Sequence, residues 1–156
     1  MRPKLSVTTD TRQTTTDGKL MLHVSAVLRN TGLGPATIHR YLLLLDGQPK
    51  KVESVKGLRD LLETLPIGTG LGNDIHFTYL RPKHVLAFDE KVNIGSFSLP
   101  DPPPDIEAML ERIGLLVEYE SMYGEVDVYD SRMHLDTALT APWYRRGALA
   151  RRKLYP

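Results

Sequence analysis

A period of two between Lys19 and Asn30 constrains this chain more than any other feature. Leu20, Leu22, Val24, Ala26 and Leu28 fall on one side of an extended segment, and Met21, His23, Ser25, Val27 and Arg29 on the other. Alternation over such a length predicts a long β-strand with one strongly apolar face. A strand of this kind cannot stand alone. It needs paired neighbours and a second layer of structure over its apolar side.

Neighbours are legible on both sides. Leu5 to Thr8 reads as a shorter strand, followed by a polar run that ends at Asp17-Gly18, a pair suited to a turn with positive φ. After the long strand comes Asn30-Thr31-Gly32-Leu33-Gly34-Pro35, all turn chemistry, and Ala36 to Leu45 reads as the next strand, closed by Asp46-Gly47. That strand ends in four leucines, Leu42 to Leu45, so both of its faces should be covered there. Over 57–65 the period changes: Leu58, Leu61, Leu62 and Leu65 form the stripe of a short amphipathic helix, which Pro66 stops. The glycine-rich link Gly68 to Gly72 leads to alternating Ile75, Phe77 and Tyr79, with further strands over His84 to Phe88 and Lys91 to Leu99. Asp101-Pro102-Pro103-Pro104 must be extended. Asp105 can then cap a short helix with Ile106, Met109, Leu110 and Ile113 on one face. Leu115 to Glu120 and Glu125 to Asp130, around Ser121-Met122-Tyr123-Gly124, read as a closing hairpin.

Many short strands separated by Gly, Pro, Asn and Asp turns predict a mainly β protein, an antiparallel two-layer sandwich with two short helical connections between its sheets. A parallel α/β sheet would need a helical crossover between most strands, and the spacing leaves no room for one. The 156 residues fit one domain, which buries about 70% of its unfolded surface. We place the sandwich over 1–140 and a separate tail over 141–156. No cysteine is present, which excludes disulfides, thiolate zinc sites and cysteine nucleophiles.

The segment from Leu22 to Ile38, with Leu44-Leu45-Asp46-Gly47 after it, resembles bacterial immunoglobulin-like domains. In those, an alternating strand ends in Asn-x-Gly, a turn of small residues follows, and the next strand ends in Asp-Gly. Cell-adhesion-related modules and the soluble parts of small membrane-tethered bacterial proteins are similar in this respect. The resemblance implies an immunoglobulin-like sandwich and a non-catalytic role in protein–protein interaction. The two helical insertions and the basic tail depart from a simple module of that type.

Several groups carry candidate chemistry. Gly68-Thr69-Gly70-Leu71-Gly72 has the composition of a phosphate cradle but follows a helix and precedes a strand, the reverse of what anion binding at a helix N-terminus needs, so we read it as a loop. The histidines His23, His39, His76, His84 and His134 include no closely spaced pair of the kind zinc sites use. His23 and His39 would have to meet across paired strands, with Asp74 and His76 on another. Glu118, Glu120, Glu125 and Asp127 in the closing hairpin would crowd four carboxylates if register aligned them, raising their pKa values or attracting calcium. Against this, alternation predicts a solvated outer face of acids, with Val117, Tyr119, Val126 and Val128 facing inward. No serine sits in a Gly-x-Ser-x-Gly elbow. We therefore expect no enzyme, no metal site and no cofactor.

Charge is unevenly placed. The last twenty residues hold five of the 20 basic side chains, Arg145, Arg146, Arg151, Arg152 and Lys153, and none of the 19 acids, so a net acidic body precedes a basic tail. Trp143 and Tyr144 adjoin those arginines and, with all five basic residues, are the candidate partner-binding residues. They have the chemistry to stack on bases and meet phosphates, or to lie on an anionic membrane surface. Packing of the two aromatics onto the sandwich competes with that reading. The expected partners are a protein or a second copy of the chain, engaged through strand edges, the glycine-rich loop or an apolar patch around Leu42 to Leu45. Nucleic acid or lipid headgroups at the tail are the alternative. Met1-Arg2-Pro3-Lys4 opens like a signal peptide, yet no apolar segment follows, and no stretch approaches the roughly 20 apolar residues of a membrane span. The expected location is either the cytoplasm or, for an excised domain, the space outside it.

Overall fold

A computed structural model describes residues 2–67, 71 and 74–131. β1 (Leu5–Thr16) and β2 (Lys19–Asn30) form a hairpin in continuous register from Leu5 opposite Asn30 to Thr16 opposite Lys19. Asp17 and Gly18 turn it with φ of 52° and 75°, the left-handed pair that matches strand twist. β1 is longer than its apolar residues predict, because the polar run is rich in threonine. β-branched side chains favour extended backbone, and an edge strand needs few apolar residues once its neighbour supplies the ladder.

β3 (Ala36–Leu45) turns through Asp46-Gly47 into a short β4 (Gln48–Lys50), which the sequence pattern did not suggest. α1 (Val55–Glu63) starts two residues before the expected position, where the Ser54 hydroxyl accepts a capping bond from the Gly57 N–H at 3.1 Å. β5 (His76–Phe77) and β6 (Val85–Leu86) are two-residue remnants of the expected strands. β7 (Lys91–Pro100) is full length. α2 (Ile106–Leu110) has Asp105 at its N-cap, but that side chain makes no capping bond. β8 (Ile113–Ser121) and β9 (Val126–Asp130) close the fold as the expected hairpin.

All pairings are antiparallel. One sheet has the order β1-β2-β7-β5; the other runs β4-β3-β8-β9, with β6 also on β3. α1 carries the chain from the second sheet to the first, and α2 carries it back. The chain is therefore mainly β, two antiparallel sheets with two short helices, and one apolar core lies between the layers. Leu22, Val24, Leu28 and Phe97 meet Ile38, Tyr41, Val117 and Tyr119 there, while Leu58, Leu61 and Leu62 of α1 close one side. At roughly 1.5–3 kcal/mol for each large apolar side chain removed from water, this cluster is the main source of stability.

Asn30 pins one end of the sandwich. Its side chain is fully buried, and it makes four hydrogen bonds. Oδ1 accepts from the Lys4 and Gly32 N–H groups, each at 3.2 Å. Nδ2 donates to the Gly34 carbonyl at 2.8 Å and the Leu86 carbonyl at 3.2 Å. Thr31 and Leu33 donate backbone bonds to the carbonyls of Lys4 and Arg2. The backbones approach so closely that a Cβ on Gly32 would collide with Arg2, Pro3 and Lys4. This gives the Asn-x-Gly motif a physical reason: the amide ties three segments together and the glycine lets one of them approach.

Each sheet carries one bulge. In the second, Ile38 pairs with Tyr119 and Arg40 with Glu118, so His39 is an extra residue. In the first, Ala26 pairs with Gly95 and Val27 with Asn93, leaving Ile94 extra.

Candidate functional site

The second sheet has two apolar faces. β3 sends Ile38, Tyr41 and Leu43 into the core, and beyond the His39 bulge it sends Arg40, Leu42 and Leu44 the other way. β8 alternates likewise, with Leu115, Val117 and Tyr119 inward and Leu116, Glu118 and Glu120 outward. The register then decides β9: Val128 lies opposite Glu118 and Asp130 opposite Leu116. Leu44, Leu116 and Val128, with Leu42 against them, form a second cluster that, among the described residues, draws its side chains from β3, β8 and β9. Yet Leu44 and Leu116 are 2% exposed, Glu118 0% and Asp130 3%. The four-leucine ending of β3 announced that both its faces are covered, and they are.

Two expectations about the closing hairpin are corrected here. Val126 and Val128 do not face the core; they pair with Glu120 and Glu118 on the outer face, whereas Asp127 pairs with Tyr119, whose hydroxyl meets its carboxylate at 3.4 Å. Nor do the four acids crowd, because Glu118 and Glu120 stand on one side and Asp127 on the other. The cause is register, since shifting a pairing by one residue exchanges every face. Glu118 is buried rather than solvated, with Arg40 as its cross-strand neighbour. Glu120 binds His39 Nε2 at 2.6 Å, and Glu125 pairs with Arg2 at 2.9 Å.

The histidines separate. His23 is on β2 and His39 on β3, in different sheets, because the turn after Asn30 crosses between layers. His76 and Asp74 share with His23, Asp10 and Arg12 a polar groove of about 340 Å³ on the first sheet. There His23 Nδ1 meets Ser98 Oγ at 2.7 Å and its Nε2 meets Thr14 Oγ1 at 2.9 Å. This serine–histidine chain ends on a hydroxyl, which cannot stabilise an imidazolium as a carboxylate does, and Ser98 is 6% exposed. Its evident work is to tie β1, β2 and β7 together. Among the described residues, no three His, Asp or Glu side chains converge as a metal site.

Trp143, Tyr144, Arg145, Arg146, Arg151, Arg152 and Lys153 lie outside the described residues, as do His134 and all of the glycine-rich loop except Leu71. No helix among the described residues is long and apolar enough to cross a membrane. The outer apolar face was signalled by Leu42 to Leu45, but its acidic members were not, because their burial depends on register. The chain matches no protein-family model, no curated protein and no solved structure.

Proposed function

We propose that this chain is a non-catalytic, immunoglobulin-like interaction module that takes an apolar, arginine-bearing polypeptide segment on the outer face of its second sheet. The observation that carries the proposal is the strip of buried Leu44, Leu116 and Val128 with half-buried Leu42, turned away from the core and flanked by Glu118, Glu120 and Asp130. Three carboxylates stand on this face among the described residues, so an occupant that joins apolar side chains with positive charge suits it. Residues 132–156 have that composition, with Leu135, Leu139, Trp143, Leu149 and Leu154 beside six basic residues and one acid, and in sequence they come just after β9. The chain's own C-terminal sequence is therefore the first peptide to test, within a copy or between copies.

Strand order supports the immunoglobulin-like part of the reading. The orders β1-β2-β7-β5 and β4-β3-β8-β9 follow the A-B-E-D and C′-C-F-G arrangement of immunoglobulin domains. Buried Tyr41 on β3 stands where those domains place a tryptophan, and no disulfide links the layers.

Among the described residues, every buried member of the inter-sheet core lies between Leu5 and Tyr119, so a chain ending at Ser131 keeps all of them. A synthetic peptide of residues 137–156, titrated into that chain by calorimetry, should bind with an affinity that falls as salt rises. Leu42→Asp should abolish the binding. No heat at any salt concentration, or binding indifferent to Leu42→Asp, refutes the reading. Sedimentation of the full chain against concentration then distinguishes docking within a copy from exchange between copies.

A further inference from the structure

The layers do not close completely. Between them lies a pocket of about 170 Å³, bounded by Val24, Tyr41, Phe77, Phe97, Leu110 and Leu115 and open on one side. Its origin is visible in the sequence. Ala26 interrupts the large apolar residues of β2, its register partner on β7 is Gly95, and Gly114 opens β8; all three line the space. Packing does not demand glycine at 95, since a Cβ there would meet Leu58 Cδ2 at 3.8 Å and the His76 carbonyl at 3.7 Å, ordinary contact distances. Three small side chains from both layers leave room that larger ones would fill.

Three hydroxyl side chains, Thr9, Tyr41 and Ser131, border this otherwise apolar setting. Tyr41 is 4% exposed, its ring lies against Phe77 and Tyr79 at centroid distances of 6.3 and 6.1 Å, and its hydroxyl has no hydrogen-bond partner among the described residues. An orphaned buried hydroxyl is costly, and phenylalanine would supply the same packing without that penalty. Burial pushes the phenol pKa far above its ordinary value, so the group is a neutral O–H donor across the physiological range. The oxygen is sealed from the open part of the pocket, so a ligand's acceptor atom reaches it only when the side chains packed around it give way.

We propose that the gap between the layers at Tyr41 binds a small neutral organic molecule: a single aromatic ring bearing one hydrogen-bond acceptor oxygen. Size sets the ring, because an apolar protein cavity of about 150 Å³ holds benzene. The donor sets the acceptor. The lining disfavours a carboxylate, since no cationic side chain borders the pocket among the described residues and a buried unpaired charge is heavily penalised. This site is independent of the outer face of the second sheet.

The probes are acetophenone, toluene and benzoate, each titrated into the full chain and followed by amide chemical shifts. Acetophenone should saturate in the millimolar range or below, with shifts centred on Gly95, Gly114 and Leu115. Toluene should bind more weakly, and benzoate not at all. Tyr41→Phe should weaken acetophenone by up to about tenfold, the worth of one hydrogen bond, while leaving toluene unchanged. Ala26→Leu should fill the space and abolish binding of both. The proposal is overturned if acetophenone produces no shifts at millimolar concentration or produces them elsewhere. It is equally overturned if Tyr41→Phe alters acetophenone and toluene alike, or neither. Because Tyr41→Phe is the milder substitution, its comparison decides the matter even if Ala26→Leu fails to fold.

Discussion

Asn30 offers the sharpest test of how the fold is held. Replacing it by alanine removes four hydrogen bonds, those to the Lys4 and Gly32 N–H groups and to the Gly34 and Leu86 carbonyls. The bond to Leu86 is buried; the other three are partly reached by water, which offsets some of the loss. At about 1 kcal/mol net per bond, Asn30→Ala should cost about 3–4 kcal/mol. That is a large fraction of the total stability of a single domain, about 5–15 kcal/mol. Asn30→Asp separates the roles of the two amide atoms. It keeps both acceptor bonds, loses both donor bonds, and sets a carboxylate against two carbonyl oxygens in a fully buried site. The introduced acid then has a raised folded-state pKa, so the variant's deficit is greatest above that value and shrinks as pH falls through it toward the unfolded value near 4. Urea unfolding followed by far-ultraviolet circular dichroism at several pH values measures both effects. A cost below about 1 kcal/mol for Asn30→Ala, or a pH-independent deficit for Asn30→Asp, would refute the account of this residue as the tie between three segments.

Other substitutions probe separate parts of the structure. Gly32→Ala should destabilise the chain by forcing the Arg2–Lys4 backbone away, and most of that loss should disappear when residues 1–4 are deleted, a coupling that paired unfolding curves would read. Arg112 binds Asp46 through two bonds of 2.7 and 2.9 Å, and this hydrogen bonding holds the Asp46 carboxyl below its ordinary range. The stabilisation is therefore present above about pH 4 and lost as pH falls through the lowered folded-state value. Asp46→Asn, which tolerates the same positive φ, should reduce stability slightly at neutral pH and lose that difference in acid, as thermal melts across pH would show. Ser54→Ala removes the cap of α1 and should cost about 1 kcal/mol in the same unfolding assay.

Much of this architecture was readable before any coordinates, for reasons that differ by element. The apolar alternation of β2 and β3 marks them to the residue, because glycine, asparagine and aspartate stop each strand sharply. α1 declared itself by its leucine stripe, and Ser54 sets its true start. β1 was underread past Thr8, since a threonine-rich edge strand has no apolar rhythm to detect. The hairpin of β8 and β9 was located, but its faces were not. Which residue opposes which depends on the geometry of the turn at Met122 to Glu125, and alternation by itself cannot show that geometry. For the same reason Leu42 to Leu45 signalled the outer site, while Glu118 and Asp130 gave no sign of being buried. The Tyr41 pocket left only a faint trace, Ala26 among larger neighbours.

The two bulges also govern how this chain tolerates changes in length. Losing one residue from the Leu42–Leu45 run while the bulge stays in place would turn the leucines on one side of the loss inside out. Losing His39 would not, because Ile38 and Arg40 already oppose consecutive residues of β8 and would join into an unbroken ladder. Ile94 holds the corresponding register position in the other layer, but its side chain belongs to the core. A one-residue deletion should therefore be tolerated best at His39, where register is kept and no core side chain is lost.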